Sequence, residues 1–128
     1  MPWREAVAVM VAGVCFALAG CRDQPPGLYD VRGTVTHRGR AVTAGEVVIE
    51  PDPARGNRGP QARCQIRNGR FATRPQFGAP AAAVIVTVTG YDRPPTFDML
   101  VGRLFEPYVF TAELPPRDST LDIVVPVE

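Results

Sequence analysis

The fold is decided by residues 64–73, which read CQIRNGRFAT. Asn68-Gly69 stands at the centre of this stretch, and both residue types tolerate the positive φ that a two-residue type I′ turn requires. The turn predicts a β-hairpin that sets Arg67 opposite Arg70 and Ile66 opposite Phe71. One face of the hairpin is then apolar and the other charged, as expected for a sheet with one buried and one solvated face.

Further short strands are predicted on both sides of the hairpin. Residues 29–36 alternate with a period of two, and residues 84–88 are all β-branched, which favours a strand although alanines precede them. Gly90 is expected to end that strand. About seven strands separated by turn residues predict an all-β, antiparallel Greek-key sandwich. The predicted strands are 29–36, 46–50, 64–67, 70–73, 81–89, 108–114 and 121–127.

The first twenty-one residues indicate where the protein goes. Arg4 gives a charged start, residues 6–18 are apolar, and Leu18-Ala19-Gly20-Cys21 follows. This is the layout of a secretory signal peptide with a small-residue cleavage site, and its cysteine resembles that of a bacterial lipobox. We therefore expect a signal peptide at 1–20, a tether at 21–28 that is lipidated on Cys21, and a β-sandwich domain at 29–128.

Two other interpretations of this segment stay open. A permanent membrane-spanning helix is disfavoured because the apolar run is shorter than the roughly 20 residues that a span needs. A plainly secreted protein with a cysteine near its cleavage site fits the same residues. The lipid-anchored interpretation predicts a location in the cell envelope, with the domain facing the periplasm or the exterior.

Composition and cysteine count exclude several classes of protein. A hydrophobic content of 45% indicates a folded domain, and a net charge of +1 gives no reason to expect nucleic acid. Of three cysteines, Cys15 leaves with the signal peptide and Cys21 is assigned to lipid. Cys64 then stands alone, and we expect a small buried hydrophobe rather than a reactive thiol.

No catalytic or metal-ligating constellation is apparent in the sequence. The chain has one histidine, His37, and one serine, Ser119, and both are expected in turns, so a Ser-His-Asp triad is not predicted. Zinc would require a denser set of ligands. We therefore expect no cofactor, no metal and no enzymatic activity. The aspartate pairs that could offer calcium ligands lack the spacing of a calcium loop; they are Asp92 with Asp98 and Asp118 with Asp122.

Charge is distributed unevenly along the chain. Residues 53–91 contain six arginines and no acidic residue, whereas residues 92–128 contain three arginines and seven acidic residues. One interpretation is a basic face for lipid headgroups or anionic cell-wall polymers. The other two interpretations, which together the sequence favours, are pairing with acidic strands inside the sandwich and plain solubility. The candidate contacts for an anionic partner are Arg55, Arg58, Arg67 and Arg70.

The order of the motifs resembles carboxypeptidase regulatory-like, or transthyretin-like, domains. Asn68-Gly69-Arg70-Phe71 is similar to their Asp-Gly-x-Phe hairpin, and residues 84–91 are similar to the long strand that follows it. Residues 104–108 and 121–126 resemble small lipoproteins of this type in planctomycete-like bacteria. Departures are Ala41, where proline is common, and Asn68, where aspartate is usual. The opening of such domains is matched by Gly33-Thr34-Val35, Gly39, Gly45, Val47 and Glu50-Pro51.

The resemblance implies a transthyretin-like or Ig-like sandwich whose known members are mostly non-catalytic. The expected function is a lipid-anchored, non-catalytic envelope module with a binding or structural role. Its expected partners are the membrane, through Cys21, and an envelope protein or anionic polymer. The alternative is a small envelope hydrolase of transthyretin-like fold. Purine-pathway hydrolases resembling this fold use several histidines and a C-terminal Tyr-Arg-Gly-Ser, whereas this chain ends Pro126-Val127-Glu128.

Overall fold

The computed structural model describes residues 26–94 and 102–127, which form an all-β domain. The predicted signal peptide at 1–20, the lipidation site Cys21 and the tether up to residue 25 lie outside the described residues. Within those two ranges, no helix is long and apolar enough to cross a membrane. A 3-10 turn at Pro53–Arg55 is the only helical element found there.

Eleven short strands make up the described part of the chain. Their shortness follows from the many turn-forming residues between them. The strands are β1 Leu28–Tyr29, β2 Val31–His37, β3 Arg40–Ala41, β4 Ala44–Pro51, β5 Ala62–Arg67, β6 Arg70–Ala72, β7 Ala79–Pro80, β8 Ala82–Tyr91, β9 Tyr108–Leu114, β10 Ser119–Thr120 and β11 Ile123–Val125.

The strands form one large curled sheet and one small pair. The large sheet has the order β10-β2-β6-β5-β4-β8-β9, with β3 and β11 also paired to β2, while β1 pairs with β7. The stretch β2-β6-β5-β4 is antiparallel, and β2 lies beside the last of three consecutively paired strands, which is a Greek-key arrangement. The curled sheet is compatible with the predicted sandwich.

The core is built from alternate residues of the main strands. Val47 and Ile49 of β4 and Val84, Val86 and Val88 of β8 are fully buried. Each such side chain stabilises the fold by about 1.5–3 kcal/mol relative to exposure. Because side chains on the inner face of the sheet form this core, the outward-facing side chains do not pack in it. Other members of the buried cluster are Val31, Val35, Val42, Ala62, Cys64, Ile66, Phe71, Ala79, Leu114, Ile123 and Val125.

The hairpin predicted at 64–73 is confirmed. Asn68 and Gly69 have φ values of 51° and 77°, as a type I′ turn requires. Arg67 pairs with Arg70 across the turn, and both are exposed. Ile66 and Phe71 are buried, so the apolar and charged faces lie where the alternation predicted them.

The prediction that Gly90 ends its strand is wrong. Strand β8 runs on to Tyr91, and Gly90 pairs with Gly45 of β4 inside the sheet. A Cβ at Gly90 would approach the Phe105 ring to 2.7 Å, and the Leu104 amide donates to the Gly90 carbonyl. Glycine is needed here because Phe105 packs against the strand, which no local pattern reveals.

Of the closing strand predicted at 121–127, only β11 is a strand; β10 precedes the predicted range, and both β10 and β11 run parallel to β2. The register is the same on either side of the break, with Ser119 beside Val31 and Val125 beside His37. The break lies where the Leu121 carbonyl passes so close to β2 that a Cβ at Gly33 would have no room. The antiparallel expectation therefore fails for this segment alone.

Candidate functional site

The outer side of β2, β5 and β6 carries a group of exposed arginines. Strand alternation turns Arg63, Gln65 and Arg67 of β5 away from the core, because Ala62, Cys64 and Ile66 face inward. Ladder pairing then sets Arg70 of β6 beside Arg67. We call this surface the arginine face, and its cationic members are Arg32, Arg63, Arg67, Arg70 and Arg74.

Two arginines of the basic stretch form internal ion pairs, as one interpretation of the sequence predicts. Arg63 contacts Glu46 at 2.8 Å on the neighbouring strand β4, and Arg55 contacts Glu113 of β9 at 2.7 Å. Both pairs are largely exposed, so each contributes at most about 1 kcal/mol to stability. The pairing interpretation is thus correct for these two residues and does not extend to the turn arginines.

Four members of the arginine face form no ion pair within residues 26–94 and 102–127, namely Arg32, Arg67, Arg70 and Arg74. Arg32 and Arg70 have no side-chain hydrogen bond in that part of the chain, and Arg67 donates one to Gln65 Oε1 at 2.8 Å. Arg74 lies over the Phe77 ring, 4.8 Å from its centroid. Arg67 and Arg70 are directly opposed like charges, an arrangement that destabilises a sheet.

Shallow depressions lie between these side chains. One of about 490 Å³ is lined by Arg32, Arg67 and Arg70, and one of about 570 Å³ is lined by Arg63, Arg67 and Arg74. Gln65, Arg67 and Ala72 line both. Ala72 has a short side chain between longer neighbouring side chains, so the surface is low at this position. The two depressions therefore join into one trough.

The structure separates the four candidate contact residues into two places. Arg67 and Arg70 lie together at the turn end of β5 and β6, whereas Arg55 and Arg58 lie in the loop that enters β5 at its other end. The length of β5 puts roughly 17 Å between the two places at ordinary strand rise. Arg32 was missed because the sequence argument followed a continuous stretch; its outward position in β2 was the available signal.

The aspartates considered as calcium ligands hold the closing segment in place. Asp118 Oδ1 accepts from the Asp30 amide at 2.9 Å, and Asp122 Oδ1 accepts from the amide and hydroxyl of Thr34 at 3.2 and 3.0 Å. Asp92 lies 3.5 Å from Arg93, and Asp98 is outside the described residues. Across residues 26–94 and 102–127, no group of three or more His, Cys, Asp or Glu residues could hold a metal ion.

The single histidine and the single serine lie far apart. His37 is at the end of β2 and its ring packs on Phe105, 4.9 Å between centroids. Ser119 pairs with Val31 at the start of the same strand, and its hydroxyl is buried with no hydrogen-bond partner among the described residues. Six residues of strand separate the two by about 20 Å. A nucleophile and its base must be within hydrogen-bond reach, so these two cannot act together.

Cys64 lies in the core, as expected of a small hydrophobe. It is 1% exposed on the inner side of β5. Burial, with the Glu46 carboxylate as a second cause, raises the pKa of its thiol to about 11. Since the thiolate is the reactive form, Cys64 stays protonated and unreactive near neutral pH.

Comparison with known proteins gives no family for this chain. No protein-family model matches it, and a search of curated proteins finds no match.

Proposed function

We propose that the chain is a lipid-anchored, non-catalytic binding module of the cell envelope, of the carboxypeptidase regulatory-like type that its motifs resemble. The observation that carries the binding role is the cluster of Arg32, Arg67 and Arg70, which lacks an acidic partner in the described part of the chain. The signal-like segment and Cys21 support the anchored location. A thioether-linked diacylglycerol and an N-acyl chain would give stable anchoring.

The competing proposal is an envelope hydrolase of the same fold. It finds little support in the described residues, because His37 and Ser119 lie at opposite ends of β2. Incubation with ester and purine-derived substrates tests it directly. We expect no turnover, and turnover that is lost in His37→Ala would favour the hydrolase.

Lipidation is tested by expressing the full chain with Cys21→Ser. The wild type should carry the mass of the lipid chains and enter the detergent phase, whereas the variant should remain an unprocessed precursor without that mass. Cys15→Ser is the matched control, since it removes a cysteine from the discarded segment and should leave lipidation intact. A Cys21→Ser protein with the wild-type lipid mass would overturn the proposed anchor.

A further inference from the structure

We infer that Arg32, Arg67 and Arg70 form a binding site for an extended anionic polymer with phosphate or carboxylate groups along its chain. The inference deepens the proposed function and rests on it for the location of such a polymer in the envelope. It names the site and the chemistry of the partner. The two loop arginines, Arg55 and Arg58, are assigned no part in it.

Two like charges face each other at the turn between β5 and β6. Arg67 and Arg70 oppose each other across one ladder position, where an opposite charge would stabilise the pair. Two carboxylates line this surface, and among the described residues neither forms an ion pair with Arg67 or Arg70: Glu46 contacts Arg63, and Asp122 accepts from Thr34. A local arrangement that weakens the fold without compensation is typical of a functional site.

The guanidinium groups are suitable donors for an anionic group, and strands hold them in place. A guanidinium offers five N–H donors in a fixed plane, which suits two-point contacts to phosphate or carboxylate oxygens. All three arginines stand on hydrogen-bonded strands, and the Gln65 side chain also orients Arg67. A sheet holds its side chains more rigidly than a loop, so less ordering is needed when an anion binds.

The surface between these arginines has the shape of a trough. The depression beside Arg32 and Arg70 adjoins the one beside Arg63 and Arg74, and Arg67 with Ala72 lines both. The Cα atoms of neighbouring strands lie about 4.8 Å apart, and those of alternate residues in one strand about 6.8 Å apart. Five arginines and two carboxylates, Glu46 and Asp122, line the trough, which therefore offers more cationic contacts than a single small anion can use.

The test measures binding of a defined polymer to the full chain held in neutral phosphatidylcholine nanodiscs. The probe is fluorescein-labelled long-chain polyphosphate, followed by anisotropy at several salt concentrations. The wild type should bind, and its affinity should fall as salt rises because bound counterions are released. Absence of binding at low salt would overturn the inference.

Two double variants with the same charge change locate the site. Arg67→Gln with Arg70→Gln should weaken binding by about tenfold or more and reduce the log–log salt slope by about 1–2. Arg55→Gln with Arg58→Gln is the matched control and should change affinity by less than about threefold. Equal losses in both variants would show a general charge effect and overturn the assignment. A thermal unfolding midpoint of the first variant at or above that of the wild type ensures that lost binding is not lost folding.

Two further measurements separate a polymer from other anions. Orthophosphate at the same total phosphate concentration should compete poorly, because one group engages few arginines at once. Competition equal to that of the polymer would overturn the polymer assignment in favour of a single-ion site. The chain held in nanodiscs that contain phosphatidylglycerol should still bind polyphosphate. Loss of polyphosphate binding in these nanodiscs would show that lipid headgroups occupy the arginine face, and this result would also overturn the polymer assignment.

The binding assay and the lipidation assay fail independently. Polyphosphate binding does not require a lipid on Cys21, because the proposed contacts lie in the β-sandwich domain and the anisotropy of the labelled polymer reports binding whether or not the chain is held in a nanodisc. If Cys21 proves unmodified while the polymer binds, the anchor is wrong and the site stands. If Cys21 is lipidated and no polymer binds, the site is wrong and the anchor stands.

Discussion

The β5–β6 hairpin and the β10–β11 closing segment are both short, and the sheet holds them by different means. The hairpin is joined by a two-residue turn, and its register follows from the backbone conformations of Asn68 and Gly69. The closing segment pairs with a strand 88 residues away, and Asp122 supplies a side-chain acceptor for β2 at the break in the ladder. Local turn geometry sets the register of the hairpin. Close backbone contact and carboxylate acceptors set the position of the closing segment beside β2.

Replacing Gly33 tests the closing segment most severely. Gly33→Ala places a methyl group against the backbone of Leu121, so the parallel strand must move away from β2. We expect a loss of about 3 kcal/mol, at the upper end of the cost of overpacking, in urea unfolding of the purified protein. Gly102→Ala is the control, because nothing lies within 4 Å of its Cβ, and a similar loss there would contradict the explanation.

Substitution of Asn68 tests the hairpin in the same assay. Asn68 has a φ of 51°, and a β-branched residue is strained in that conformation. Asn68→Val should lower the free energy of unfolding by about 1–2 kcal/mol. Asn68→Gly keeps the turn and should change stability far less. A valine variant as stable as the glycine variant would show that the turn does not set the register.

The thiol of Cys64 tests the inner face of the hairpin through pH. Its pKa is raised to about 11 by burial, whereas the unfolded thiol titrates near 9.0. Between these values the unfolded state has lost a proton that the folded state retains, so stability falls as pH rises. The decline attributable to this group is at most about 1.4 kcal/mol per pH unit. Cys64→Ala should show a shallower decline; equal slopes would indicate that the native thiol is not desolvated.

Asp122 tests the polar half of the closing segment. Asp122→Ala removes the acceptor for the amide and hydroxyl of Thr34, and we expect a loss of about 1 kcal/mol in urea unfolding. Asp92→Ala removes an exposed carboxylate near Arg93 and should cost at most about 0.5 kcal/mol. If the two variants lose the same stability, the Asp122 acceptor does not hold the segment.

The contrast also explains what the sequence could predict. The turn at Asn68-Gly69, the alternation around it and the valine-rich strand β8 are local patterns, and each was predicted to within a few residues. Gly90 was misread because the Phe105 ring that requires a glycine comes from a distant loop. The parallel pairing of β10 and β11 depends on contacts to β2 that no local pattern contains.

The candidate site divides in the same way. Alternation alone places Arg67 and Arg70 on the outer face, and the structure agrees. Arg55 and Arg58, which the sequence groups with them, lie in the loop before β5, because nearness in sequence is not nearness on a sheet. Arg32 joins the site only through the ladder between β2 and β6.

The smallest expected effect links stability to the proposed site. Arg70→Glu converts the like-charge pair with Arg67 into an attractive one, so the free energy of unfolding should rise by about 0.2–1 kcal/mol. The gain should shrink with added salt, because exposed charges are screened beyond about 10 Å at 0.1 M. Arg58→Glu, placed in the loop before β5, should give no such gain.

The same Arg70→Glu protein should bind polyphosphate more weakly than wild type. If the variant is more stable and binds polyphosphate less, the repulsion between Arg67 and Arg70 is part of a binding site for the anionic polymer. If it is more stable and binds polyphosphate as well as the wild type, that repulsion has no role in binding.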